Sequence, residues 1–365
     1  MKFTFRRFFA VLVLFVLIDM AIVGVWTGLK LRRYIQTFEQ SSSTSILEIK
    51  RHIVSNWQTP VKQTDNTVTA LILGTDQLEG RPANNAQANV LTDSMMLTTL
   101  NLKTLALTQV SLPRDLWIDQ YKTKANALYF YGYEKTPQDP TAFPQSAIQD
   151  ITGVPIHYVV VLNLNTVAKV IDALGGVDVQ IDRSFIDEQF PKSGVDVATV
   201  RDPKLLYETV QFSQGTEHMS GERALVFIRS RHSKDRIEGS DEGRMMRQQK
   251  IMQAMMSKVM NPNILRNPIV LGKLYVLYRS EFSSAIPFDQ VVAIGKYMTQ
   301  QLITVPQTFP ALQIKKATIS IQENGQKGVL FHPNVKKYGG QWVYVPVDPS
   351  WDGLRTEIQG FYASE

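Results

Sequence analysis

Short apolar runs alternate with amphipathic stretches along most of the chain after residue 66. Residues 68–73, 94–100, 105–111 and 158–162 are short, mostly apolar runs, which is typical of buried strands. Residues 165–174 repeat apolar side chains at helical spacing and stop at a Gly-Gly pair, which favours a helix. Because strands and helices alternate in this way, the pattern predicts an α/β sandwich with a mixed central sheet.

Other parts of the pattern are simpler. Helices are expected over residues 143–153, 269–281, 288–303 and 351–362, and strands over 177–181, 316–321, 328–331 and 341–346. Residues 77–89 are interpreted as a loop and 182–215 as a polar, irregular segment.

The N-terminus carries an almost wholly apolar run, residues 8–29, with basic residues on both sides. Its length is that of a helix that crosses a bilayer. A cleaved signal peptide is the alternative, but no small-residue cleavage motif follows the run. We therefore expect residues 1–33 to form a short cytoplasmic stub and one transmembrane signal anchor, with Asp19 as a tolerated polar residue. The polar, Ser/Thr-rich residues 34–66 are interpreted as an extracytoplasmic stalk and residues 67–365 as the folded domain.

The densest group of arginines follows an apolar run at residues 224–228, which is interpreted as a buried strand. On a strand, Arg229 and Arg231 share one face. A helix that begins near Ser240 or Asp241 carries a single stripe: Arg244, Gln248, Ile251 and Met255. Two interpretations remain open at this point, a clamp for phosphate oxygens or a solvated, salt-bridged loop.

Two aspartates flank the predicted strands 94–100 and 105–111. If these strands form an antiparallel hairpin, Asp93 and Asp115 lie at the same edge, within reach of one hard cation. Two carboxylates, with water and substrate phosphates, are a common way to hold Mg²⁺. The alternative is that each aspartate caps a turn.

The composition and the absence of certain motifs exclude several kinds of site. The 365 residues carry a net charge of +6, which favours anionic partners, and contain no cysteine, which excludes disulfides, thiolate zinc sites and cysteine nucleophiles. A Walker loop and a GxGxxG motif are absent, and the five histidines lack metal-ligand spacing. There is no helix-turn-helix pattern, so a nucleic-acid partner is not expected.

Several segments in order carry a resemblance to a known family. They are TDSMMLTTLN (92–101), VSLPRDLWI (110–118), KANALYFYGY (124–133), HYVVVLN (157–163), VIDALGGVDVQID (170–182), MSGERALVFIRSR (219–231) and SDEGRMMRQQKIMQAM (240–255). Between about residues 68 and 260 the chain resembles the LytR–CpsA–Psr family of bacterial cell-envelope phosphotransferases. One departure is Leu91, where the family often has an arginine.

The resemblance implies an α/β/α sandwich with a central mixed sheet that holds a polyprenyl-pyrophosphate-linked glycan. It implies catalytic roles for Asp93, Asp115 and Arg114, with the two aspartates as ligands of a Mg²⁺ cofactor. The implied pyrophosphate ligands are Arg114, Lys124, Arg229, Arg231, Arg244 and Gln248. Asp241 and Arg247 are expected to support these ligands, and the apolar side chains expected at the lipid tunnel are Phe227, Ile251 and Met255.

The function implied is transfer of a glycan-1-phosphate from the lipid carrier to peptidoglycan by an enzyme in the bacterial cell membrane. The expected topology is a single pass, with the N-terminus cytoplasmic and the catalytic domain outside. Two alternatives use the same arginines, and the second of them has no need of Asp93 and Asp115. A polyprenyl-pyrophosphate pyrophosphatase would use water as the acceptor, and a non-catalytic envelope protein would bind lipid phosphate or polymer without transfer.

Overall fold

The structure is a computed structural model that describes residues 28–75, 91–192, 195, 202–259, 261–304, 314–323 and 325–363. The predicted transmembrane run, apart from its last two residues, and the predicted loop 77–89 lie outside these residues. Within the described part of the chain, none of the helices combines the length and the apolar character needed to cross a bilayer. The signal anchor therefore stays a prediction.

The strands and helices follow one another in mixed order. The strands are β1 (Thr67–Thr75), β2 (Thr92–Asn101), β3 (Leu107–Leu112), β4 (Trp117–Ile118), β5 (Thr123–Lys124), β6 (Tyr158–Asn163), β7 (Val177–Ile181), β8 (Phe185–Pro191), β9 (Tyr207–Phe212), β10 (Gly215–Met219), β11 (Ile314–Thr318), β12 (Ile321–Gln322), β13 (Leu330–Phe331) and β14 (Val345–Pro346). The helices are α1 (residues 28–42), α2 (Ile46–Ser55), α3 (Leu128–Lys135), α4 (Ala142–Thr152), α5 (Leu164–Ala173), α6 (Pro203–Leu206), α7 (Gly221–Arg229), α8 (Asp241–Val259), α9 (Pro262–Leu265), α10 (Pro268–Leu277), α11 (Phe288–Thr304) and α12 (Asp352–Ala363).

The central sheet has five strands in the order β11-β3-β2-β1-β6. β1 pairs antiparallel with β2 and β2 with β3, whereas β1–β6 and β11–β3 are parallel. The predicted mixed sheet and the predicted hairpin are both confirmed.

Side-chain alternation on the strands separates two cores. On β1, Leu71 and Leu73 are fully buried and pack in a cluster with Ile148 of α4 and Ile358 of α12. Ile72 points to the other face, where it packs against the cluster that contains Ile251 of α8. Because both faces are covered by helices, the architecture is an α/β/α sandwich, as expected.

The interpretation of residues 224–228 as a strand was wrong, because these residues form most of α7. The helix begins after Ser220, whose hydroxyl accepts a hydrogen bond from the backbone N–H of Arg223. Ala224, Phe227 and Ile228 are its buried positions, at the spacing of one helical face. An apolar run this short does not by itself distinguish a buried strand from a buried helix.

The segment 182–215 is also more ordered than expected. It contains β8 and β9, which pair antiparallel, with a register shift between Asp187 and Phe190. Phe185 and Phe212 stack with ring centroids 5.0 Å apart, and Phe212 meets Phe227 of α7 at 5.0 Å. The hairpin is therefore anchored on the helix that leads to the arginines.

Residues 34–66, predicted as a stalk, include helix α2 and also contact the domain. The Ser41 hydroxyl donates a hydrogen bond to the carbonyl of Pro268 (3.1 Å). The Lys62 ammonium donates to the carbonyl of His157 (3.1 Å). Part of this segment therefore packs on the sandwich.

Candidate functional site

The β2–β3 hairpin brings the predicted carboxylates together at one sheet edge. Met95 of β2 is opposite Leu112 of β3, so Asp93 lies next to the chain that leaves β3. An Arg114 guanidinium nitrogen (Nη1) donates to Asp93 Oδ1 at 2.6 Å, and Arg114 Nε lies 3.5 Å from Asp115 Oδ2. The Lys124 ammonium donates to Asp115 Oδ1 at 2.7 Å. The sequence-based expectation that Asp93 and Asp115 share an edge is confirmed.

The end of α7 and the start of α8 supply the second side of the site. Together with Asp93 and Arg114, four predicted ligands line one cavity of about 280 Å³: Arg229, Arg231, Arg244 and Gln248. Arg231 is exposed, Arg229 and Gln248 are half-buried, and Arg244 is only 7% exposed. The cavity therefore joins guanidinium groups from three separate parts of the chain.

The electrostatics of this cavity favour an anion. Arg244 lies in the first turn of α8, where the helix dipole opposes a positive side chain and favours a negative ligand. The arginines outnumber the single carboxylate, Asp93, that lines the cavity with them in the described part of the chain. Guanidinium groups bind phosphate oxygens in a planar, bidentate geometry. The arrangement is suited to a phosphate or pyrophosphate group.

The remaining wall of the cavity on the side of β1, β6 and α5 is apolar. Ile72, Leu162 and Val167 line it, and Ile251 of α8 lies opposite. Of the residues predicted at a lipid tunnel, Ile251 therefore lines the cavity. Phe227 and Met255 are 1% and 6% exposed and belong to the packed core behind it.

Arg247 is buried and supports the arginine-bearing segment. Its guanidinium donates to the carbonyls of Phe227 (2.9 Å), Glu238 (2.8 Å) and Ser230, and to Glu238 Oε2 (2.6 Å). Burial lowers the pKa of Arg247, while the hydrogen bond that its guanidinium donates to Glu238 opposes this shift. Ser230 lies between Arg229 and Arg231, so Arg247 fixes the backbone between two cavity arginines. The Glu238 side chain is therefore mostly buried and paired with this guanidinium. The side chain of Asp241, the other predicted support residue, lies outside the described part.

Sequence reasoning missed Asp187. Its carboxylate is fully buried on β8 and accepts hydrogen bonds from the backbone N–H groups of Arg231 (2.9 Å) and His232 (3.2 Å). It also accepts from the N–H of Gln189 at 3.0 Å. Because these bonds fix the backbone at Arg231, Asp187 positions that arginine at the cavity. A single aspartate in a polar segment gave no pattern that would have separated it from a turn residue.

The metal expectation rests on few ligands. Within the described ranges, His, Cys, Asp and Glu side chains do not form a group of three or more that could hold a metal ion. Asp93 and Asp115 both contact the Arg114 guanidinium, and Asp93 and Arg114 line the cavity. Two carboxylates fit Mg²⁺ when water and substrate phosphates complete its shell.

Comparison with known proteins places the chain. A Bacillus cereus protein described as polyisoprenyl-teichoic acid–peptidoglycan teichoic acid transferase TagU is 28% identical over 296 residues, which cover 80% of this chain and 78% of that protein. Biofilm regulatory protein A of Streptococcus mutans is 29% identical over 203 residues, which cover 52% of this chain and 43% of that protein. The crystal structure of B. subtilis TagV has the same fold, with a TM-score of 0.52 at 18% identity, and covers 82% of this chain and 99% of that one. Residues 33–331, well over half of the chain, match the LytR_cpsA_psr family. The protein therefore belongs to the LytR–CpsA–Psr family.

Proposed function

We propose that this protein is a membrane-anchored, Mg²⁺-dependent transferase that attaches a glycopolymer to peptidoglycan. The donor is a glycan linked to a polyprenyl carrier through pyrophosphate. The observation that carries the proposal is the shared cavity, which places Arg114, Arg229, Arg231 and Arg244 beside an apolar wall. An amphiphile with a pyrophosphate head and a hydrocarbon chain matches both parts. The name of the related TagU protein, a polyisoprenyl-linked teichoic acid transferase, supports the same class of reaction.

The proposed reaction is a displacement at phosphorus. The hydroxyl oxygen of the acceptor forms a bond to the phosphorus that carries the glycan, and the bond from that phosphorus to the bridging oxygen breaks. Polyprenyl phosphate leaves with the bridging oxygen and its electron pair, and the hydroxyl proton passes to a carboxylate. The products are a glycan–peptidoglycan phosphodiester and polyprenyl phosphate.

The residues of the site have different proposed roles. Arg229, Arg231 and Arg244 neutralise the pyrophosphate and the charge that develops on the leaving phosphate. Asp115 is the proposed general base, with Asp93 as the alternative. The Arg114 and Lys124 ion pairs orient both carboxylates. When bound to Asp93 and Asp115, Mg²⁺ supplies additional neutralisation of the phosphate oxygens.

The proposed location is the outer face of the bacterial cell membrane. Residues 8–29 serve as the anchor in this proposal, with the N-terminus in the cytoplasm. The sandwich then lies outside the cytoplasm, where peptidoglycan and the lipid carrier meet.

The test is product analysis with the purified full chain in detergent and a polyprenyl-pyrophosphate-linked glycan as donor. With peptidoglycan present, we expect peptidoglycan-bound glycan and polyprenyl phosphate in equal amounts. Glycan phosphate released at the same rate with or without peptidoglycan would identify a pyrophosphatase instead. Tight donor binding with neither product would identify a non-catalytic binding protein.

A further inference from the structure

One side of the cavity carries several polar side chains that a lipid chain does not explain. It is formed by side chains of β3 and β11 in the sheet and of α8 above it, which we call the polar strip: Gln109, Ser111, Lys316, Thr318, Gln249 and Gln253. On the side of β1, β6 and α5 the lining includes Ile72, Leu162 and Val167. The cavity is thus divided into an apolar side and a polar side.

Strand register places the strip on one face of the sheet. In the parallel β3–β11 pair, Gln109 is opposite Lys316 and Ser111 is opposite Thr318. Residues two apart on a strand share a face, so all four project toward α8. The Gln249 amide donates to the Ser111 hydroxyl at 3.2 Å, which ties α8 to β3 along the strip.

Gln109 has a buried polar group that could bind a ligand. It is only 5% exposed, it lines the cavity, and its amide nitrogen has no hydrogen-bond partner among the described residues. The hydroxyl of Thr98, its cross-strand neighbour on β2, is also buried and without a described partner. Buried polar groups are almost always hydrogen-bonded. An isoprenoid chain has no polar atom to offer either group.

The outer part of the strip is accessible. Lys316, Thr318, Gln249 and Gln253 are all exposed, and β11 is the edge strand of the sheet. Lys316 lines the cavity, and partial burial of its side chain lowers its pKa. The strip therefore runs from an open edge to the buried amide of Gln109.

We propose that the polar strip binds a saccharide, because amides and hydroxyl groups are matched to the hydroxyl groups of sugar rings. This proposal rests on the proposed transferase function and names a subsite for it. The saccharide has two possible sources, the first sugars of the lipid-linked donor or the peptidoglycan strand that accepts the glycan. Both present the same chemistry to Gln109 and Gln253.

The test uses the full chain in detergent and three probes: octaprenyl pyrophosphate, octaprenyl-pyrophosphate-linked N-acetylglucosamine, and soluble uncross-linked peptidoglycan fragments. Gln109→Met keeps the side-chain length and removes the amide, and Gln253→Ala makes the same test at an exposed position that does not endanger folding. Lys336→Met, at an exposed turn residue, is the control.

For both glutamine variants we expect unchanged affinity for octaprenyl pyrophosphate and a loss of about tenfold for one saccharide probe, as for one lost hydrogen bond to a ligand. The probe that loses affinity identifies the source. Equally tighter binding of octaprenyl pyrophosphate and of its N-acetylglucosamine-linked form, with peptidoglycan binding unchanged, would assign the strip to the lipid and overturn the proposal. Three unchanged affinities would also overturn it. If the wild-type chain binds the saccharide but forms no phosphodiester, the proposed transferase function is wrong. The proposal that the polar strip binds a saccharide would still hold.

Discussion

Replacement of Arg247 by methionine tests the idea that a buried guanidinium holds the arginine-bearing segment. The Arg247 side chain is 2% exposed and binds Glu238, Phe227 and Ser230, and its guanidinium carbon lies 4.9 Å from the centre of the Phe185 ring. Methionine retains most of the volume but none of the donors.

The expected loss in the free energy of unfolding follows from the groups that lose their partner, above all the Glu238 carboxylate. Breaking a buried ion pair by removal of one partner costs about 3–5 kcal/mol. The Glu238 side chain is 13% exposed, so water reaches part of the orphaned carboxylate, and we expect a loss near the lower end, about 3 kcal/mol. The buried carbonyls of Phe227 and Ser230 also lose their donor, which keeps the cost from falling further.

The assay is equilibrium unfolding of the full chain in urea, with donor binding measured in parallel. Arg236→Met is the matched control, because Arg236 is exposed in the same loop, and it should remain within about 0.5 kcal/mol of the wild type. The double variant Arg247→Met/Glu238→Leu should be more stable than Arg247→Met alone, because both partners are then removed. An Arg247→Met protein as stable as the Arg236→Met control would refute the reasoning.

Three further outcomes are expected. Asp187→Ala removes the acceptor of the Arg231 backbone and should weaken donor binding measured by titration at least tenfold, although Asp187 does not itself line the cavity. Burial and the Lys62 charge hold the pKa of His157 below its ordinary 6.5, so the unfolded chain takes up the proton first. The contribution of His157 to the free energy of unfolding should thus be complete above pH 6.5 and decrease as the pH falls below it. In urea titrations at several pH values, His157→Gln should reduce this dependence of the free energy of unfolding on pH. Asp115→Asn should abolish Mg²⁺-stimulated transfer, and full wild-type activity in a chelator would contradict the metal proposal.

The sequence predicts best what local rules decide. Asp93 and Asp115 could be brought together because two short apolar runs separated by a tight turn fold as a hairpin, and the register then follows. α8 was predicted from its cap and its polar-to-apolar stripe, and the structure places Arg244, Gln248 and Ile251 along one cavity.

What the sequence could not decide depends on tertiary contacts. The run at residues 224–228 is too short to show a period, and its helical state is set by the Ser220 cap and by packing of Phe227 on the β8–β9 hairpin. In the sequence Asp187 cannot be distinguished from an aspartate in a turn, because its burial depends on the fold. Gln109 lies in a strand that also carries Thr108 and Ser111, and the sequence does not show that a cavity lies beside it.

The most direct test of the account is the transfer rate of an Arg229→Ala/Arg231→Ala protein. Each arginine contributes about 1.5–3 kcal/mol through hydrogen bonds to a charged ligand, so transfer should fall by roughly a hundredfold or more. Arg236→Ala, in the same loop, should retain the wild-type rate. Transfer by the double variant at the wild-type rate, with the protein folded, would remove the arginine cavity from the mechanism.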